Sequence, residues 1–278
     1  MTLSNADEQE LSHLSPDEHA AWNSAVSYYA NSLIQRDLLF DQGMETIKNQ
    51  LEDAETSDDL AGVPISPDLK VTLLKVGPIY RKHWWMRHDF ENRQWIAQLQ
   101  PLLDQYGSLI CDSLVKIYEA PWPGYPVRVD AVVYANWAGA FTTLEPTRPT
   151  ISTSDVANPA TAALEIVFHE ASHGMMGKVM DSIDAAEKSA GARGKSRPIH
   201  FRRDLWHEVL FYTSGQLVAE QVRGYTSYAD KNGLWTRAWP GPDRVLIEQD
   251  WKPHMDGAVP LPVALAKLVD DLAMASSP

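Results

Sequence analysis

The polar and apolar positions of the first hundred residues repeat at helical spacing. Ser15-Pro16-Asp17-Glu18 has the form of a helix start: a capping hydroxyl, proline at the first helical position and acids in the first turn. Trp22, Ala25, Val26, Tyr29 and Leu33 follow on one face and predict helix over residues 15–55. Residues 57–68 are polar and read as a loop. A second helical block covers residues 70–118, with breaks expected near Gly77-Pro78 and Pro101, because proline lacks the amide hydrogen and crowds the preceding turn. Inside it, Tyr80, Trp84, Trp85 and Trp95 suggest an aromatic core seam with Arg81, Lys82 and Arg87 turned outward. His83 and His88, five apart, do not share a helical face and make a poor metal pair.

From Pro121 the period shortens. After the turn-forming Pro121-Trp122-Pro123-Gly124, residues 127–134 and 139–144 alternate with β-branched side chains and read as strands, with a short third strand at 150–153. Helical pattern then returns over residues 161–184. A Gly/Ser/Arg-rich loop, 189–197, follows. A second helix is expected from an Asp204 N-cap to a Gly224 stop. Pro240-Gly241-Pro242-Asp243 marks a turn, and a short amphipathic helix at 263–274 ends the chain. The expectation is an α+β protein, mainly α, with a small β-sheet before the central helix. Its parts would be a flexible terminus (1–14), a helical N-terminal part (15–120) and a catalytic part (121–278) continuous with it.

The chemistry concentrates at His169-Glu170-Ala171-Ser172-His173, which follows the run Ala163-Leu164-Glu165-Ile166-Val167-Phe168. Residues four apart on a helix lie about 40° apart in projection and about 6 Å along the axis, so both imidazoles can reach one metal ion. Glu170, about 100° round from His169, can take a proton from water held there. Zinc suits this donor set, since it binds neutral imidazoles and keeps one position open in catalytic sites.

This H-E-x-x-H segment resembles the zincin superfamily of zinc metallopeptidases. The resemblance covers about a quarter of the chain, and implies His169 and His173 as zinc ligands and Glu170 as general base. The order of strands, H-E-x-x-H helix and second helix is also similar to the zincin plan, in which an edge strand can pair with an extended peptide. The metzincin continuation is absent, because Met176 and Val179 stand where that branch has Gly and His. In the gluzincin branch a second helix supplies a glutamate ligand, and Glu208 and Glu220 are candidates for that role. His207 is the preferred third ligand. It is the only histidine of its helix, and the positive helix N-terminus disfavours the imidazolium that could not bind metal. Tyr212, with Tyr225, Tyr228 and Arg223 as alternatives, is the expected donor to a developing oxyanion. Asp181, Asp184 and Asp204 are candidates to orient a ligand histidine.

Composition narrows the function class. The chain has 278 residues and a net charge of −13, which argues against general nucleic-acid binding; the basic residues of 193–203 read as a solvated loop. The lone Cys111 excludes an internal disulfide framework and a cysteine zinc site. No signal peptide or bilayer-length apolar run is visible, so a cytoplasmic protein is the expectation unless a leader has been removed. These features point to a zinc-dependent hydrolase acting on a peptide or small amide, with Zn2+ as cofactor and no membrane or nucleic-acid partner. The alternatives are a non-peptidase amide or ester hydrolase and a non-catalytic metal-binding or interaction protein. Oligomeric state is not readable.

Overall fold

The fold is mainly helical with one three-stranded sheet, and residues 4–38, 40–54, 59–192 and 204–275 are described in a computed structural model. The N-terminal residues expected to be flexible carry α1 (Asn5–Ser12), started by the reciprocal capping of Ser4 and Asp7. α2 (Pro16–Ser32) starts at the expected capping box of Ser15 and Glu18. The long helix predicted to 55 is interrupted after Ser32. Arg36 pairs with Asp41, and the Asp41 carboxylate accepts the Met44 amide to start a new helix, α3 (Gln42–Asp53).

The breaks expected at both prolines are absent. α4 (Pro67–Tyr80) runs through Gly77 and Pro78, widens into a single π turn at Arg81–Trp85, and continues as α5 (Met86–Tyr118) straight through Pro101. Ala97 and Pro101 are both exposed, so the carbonyl deprived of its amide partner faces water. The aromatic seam is a small core of Leu14, Ile79 and Trp84, with Trp22 stacked on Trp84 at 4.7 Å. His83 turns to Glu18, and His88 lies 2.9 Å from the Tyr80 hydroxyl.

The strands are β1 (Asp130–Val132), β2 (Ala140–Thr143) and β3 (Arg148–Ser152), in the order β1-β3-β2. β1 runs parallel to β3, with Ala131 opposite Ile151, and β2 runs antiparallel to it, with Phe141 opposite Thr150. α6 (Ala160–Ser172) packs against this sheet and is buried from Ala162 to Ser172. The remaining helices are α7 (Gly177–Ala192), α8 (Leu205–Gln221), α9 (Tyr228–Lys231), α10 (Leu234–Arg237), α11 (Asp243–Asp250), α12 (Lys252–Met255) and α13 (Leu261–Ala275).

One core joins Leu99, Ile110 and Leu114 of α5 to Ile151 of β3, Leu164 of α6, Leu210 of α8 and Leu265 of α13. It therefore crosses the expected boundary at residue 120. Each fully buried aliphatic side chain contributes about 1.5–3 kcal/mol by leaving water. No helix among the described residues is long and apolar enough to cross a membrane. The basic run and most of the loop at 189–197 lie outside the described residues.

Candidate metal centre

The helix predicted over 161–184 ends early. α6 stops at Ser172, His173–Met175 form a 3-10 turn, and α7 restarts at Gly177. Gly174 explains the interruption. A Cβ there would lie 2.2 Å from Thr147 Oγ1 and 2.8 Å from Pro123 Cβ, so only glycine lets the turn press against that loop. His169 thus sits in the last turn of α6 and His173 at its C-cap.

α8 crosses α6 and brings a third imidazole. His207 lies in the first turn of α8, its amide bonded to the Asp204 carbonyl at 2.8 Å. Asp204 is the N-cap by position, but its carboxylate accepts the indole NH of Trp239 at 3.1 Å instead of capping the helix. The Nε2 atom of His169 lies 3.1 Å from that of His207 and 3.3 Å from that of His173. Among the described residues, these three histidines form the one group able to hold a metal ion, their ligand atoms all within 4.8 Å of one another.

The spacing has a chemical meaning. Zinc–nitrogen bonds of 2.0–2.1 Å in a tetrahedron put neighbouring nitrogens about 3.3 Å apart. Without a cation the cluster is badly satisfied. A neutral ring nitrogen carries either one hydrogen or one lone pair, so His169 Nε2 can serve one of its two neighbours but not both. A cation among the rings would take all three lone pairs, so the residues fit a metal. Burial also keeps the rings neutral, as ligands must be. It drives His169 well below the usual histidine range, His173 down to about 3 and His207 down to about 4, the last against the pull of the nearby Asp204 charge.

Glu170 is buried beside the cluster, its Oε2 3.8 Å from His173 Nε2. The Thr142 hydroxyl of β2 lies 2.7 Å from that same oxygen and 2.9 Å from the Glu170 carbonyl. Burial pushes the Glu170 carboxyl up to about 7, while the Thr142 hydrogen bond pulls the other way. A carboxyl so placed can accept and return a proton near neutral pH.

No family model, curated protein or solved structure matches this chain.

Of the proposed third ligands, His207 joins the cluster and neither glutamate does. Glu208 is fully buried but points about 100° away around α8, and Glu220 is exposed, accepting from the Gln216 amide at 3.1 Å. Tyr212 is placed away from the site. It lies about 140° round α8 from His207, with Arg244 4.9 Å above its ring and the charges of Glu248 and Asp256 nearby. Five residues of helix separate the two side chains onto different faces. Tyr225 donates to Glu165 at 2.7 Å, and Arg223 is exposed. Of these phenols, Tyr228 is the one whose ring stacks on Phe211, the ring that packs on His169 and His207; burial first, then the charge of Asp155, raises its hydroxyl above the usual tyrosine range. Asp181 and Asp184 are exposed on α7, leaving Asp204 as the carboxylate near a ligand ring.

Three contributors escaped the sequence reading: Thr142, Phe211 and Glu165. Glu165 left a signal. It is a charged residue inside an apolar run, and it shares the helical face of His169 and His173 at steps of four.

Proposed function

We propose that this chain is a zinc-dependent hydrolase of zincin type that cleaves peptide bonds. The observation that carries the reading is the convergence of His207 on the His169–His173 pair, with His169 Nε2 at tetrahedral-site spacing from the other two nitrogens and Glu170 alongside. A zinc ion held by the three histidines would act as a Lewis acid, polarising a carbonyl oxygen and lowering the pKa of water in its open position to about 7.

The protein's own groups supply the rest. Glu170 accepts the proton of the attacking water and delivers it to the leaving amine nitrogen as the C–N bond breaks, so its carboxylate is regenerated with each turnover. Thr142 holds one oxygen of that carboxylate in place. Tyr228, whose ring stacks on Phe211 beside the histidines, is the phenol proposed to bond the carbonyl oxygen as charge builds on it, the role expected of Tyr212.

The test is zinc stoichiometry by elemental mass spectrometry on the wild type and His207→Ala, followed by a peptide-library digest. About one zinc per wild-type chain, marked loss in the variant and cleavage of library peptides support the proposal. A wild type that takes up no supplied zinc would refute it.

A further inference from the structure

A ligand histidine usually donates its second ring nitrogen to a carboxylate or carbonyl, and that hydrogen bond fixes the orientation of the ring. His169 lacks this device: its Nδ1 is buried and has no hydrogen-bond partner among the described residues. Packing holds the ring instead. Phe211 lies with its ring centre 3.9 Å from that of His169 at an interplanar angle of 35°, and 4.9 Å from that of His207. Tyr228 stacks on Phe211 in turn, 6.1 Å away and 19° from parallel.

The stack is tied back to the ligand helix by a buried carboxylate. Glu165, one turn before His169 on α6, is wholly buried. Its Oε2 accepts the Tyr225 hydroxyl at 2.7 Å and the Tyr228 amide at 2.8 Å. Gly215 of α8 closes the junction, because a Cβ there would meet Ser227 Cβ at 2.5 Å and Glu165 Oε1 at 3.2 Å. The helix carrying His169, the helix carrying His207 and the segment carrying Tyr228 thus meet at Glu165.

We infer that Glu165 is a positioning residue of the metal centre: it anchors Tyr228 over Phe211, and the stacked Phe211 orients the His169 and His207 rings for zinc. The inference rests on the zinc reading above. A pair of acid-to-apolar and ring-to-aliphatic changes separates it from a purely structural role. In Glu165→Gln the amide oxygen can accept both hydrogen bonds in place of Oε2, whereas Glu165→Ala removes them and Phe211→Leu removes the flat surface. Tyr225→Phe, a milder change, deletes one of the two bonds.

Zinc affinity would be measured by competition with a chromophoric chelator, and ligand geometry by the visible spectrum of the cobalt-loaded protein, on variants whose circular dichroism shows them folded. Expected is a loss of zinc affinity of about 10-fold or more in Glu165→Ala and Phe211→Leu, the range found for outer contacts of metal ligands. Their cobalt bands should shift, Tyr225→Phe should lose less, and Glu165→Gln should stay close to wild type. If Glu165→Ala does not fold, Tyr225→Phe and Phe211→Leu carry the test. Wild-type zinc affinity and cobalt bands in Glu165→Ala, or in both Tyr225→Phe and Phe211→Leu, would overturn the inference while leaving the zinc site standing. A wild type that binds neither metal would overturn both.

Discussion

The Thr142 hydroxyl of β2 donates to the Glu170 carboxylate of α6 across 2.7 Å. That bond ties an outer strand of the sheet to the group proposed to move the proton. A hydrogen bond to a charged group contributes about 1.5–3 kcal/mol, and its loss frees Glu170 to leave the productive geometry. Thr142→Val should therefore slow peptide hydrolysis by about 10- to 100-fold and leave the zinc content unchanged. Steady-state kinetics beside metal analysis checks this.

Glu170→Gln keeps the shape of the side chain and removes its ability to take a proton. Hydrolysis should fall by at least about 100-fold, the typical contribution of general base catalysis, with one zinc retained per chain. Unchanged turnover would remove Glu170 from the mechanism.

The two tyrosines give opposite expectations. Tyr212→Phe should leave turnover within about twofold, because its hydroxyl lies beside Arg244 and away from the cluster. Tyr228→Phe keeps the ring on Phe211 and loses only the hydroxyl, so zinc affinity should hold while turnover drops by about 10-fold or more. Equal activity of the two variants would argue against a donor role for Tyr228.

Gly215→Ala sets two effects against each other. Alanine favours a helix interior over glycine by about 1 kcal/mol. Its Cβ would stand 2.5 Å from Ser227 Cβ, and overpacking of that kind costs about 1–3 kcal/mol. The clash should win, lowering the midpoint of urea unfolding, whereas propensity alone would raise it.

Burial holds the Glu165 carboxyl up at about 7, against the two hydrogen bonds from Tyr225 and Tyr228 that favour its charged form. The fold thus prefers the protonated acid. The stabilisation is complete below about pH 4.5, the ordinary carboxyl value, and is lost as pH rises through 7. The depressed histidines act in the opposite sense, gaining stability as pH rises toward 6.5, so the whole-protein curve mixes signs. The difference between wild type and Glu165→Gln isolates the carboxyl. That difference should fall by on the order of 3 kcal/mol between pH 4.5 and 7 in metal-free protein, read from denaturant unfolding at each pH. A flat difference would refute the assignment.

Local pattern was enough for much of the architecture. The Ser15 capping box is written in cap chemistry, and the strands near 130, 140 and 150, the helix carrying His169 and the helix beginning at residue 205 are written in spacing, both of which act over a few residues. The i,i+4 placement of His169 and His173 follows from helix geometry alone. Contacts made over long sequence distances were not legible. Nothing near Pro101 shows that its stranded carbonyl faces water, and nothing near Gly174 shows that Thr147 and Pro123 wait against it, ending the helix one residue before His173.

The same division runs through the site. Residues able to bind zinc and a nearby carboxylate are properties of the chain. Which of His207, Glu208 and Glu220 meets the first two histidines depended on the rotation of α8 against α6, which the packing of the buried core sets. That rotation carried His207 and Phe211 inward together and turned Tyr212 toward Arg244. It also brought Glu165 within reach of a segment 60 residues later in the chain. Sequence determined the chemistry on offer, because side-chain identity and helical period are local; tertiary structure decided which groups converge, because convergence depends on how separate elements pack.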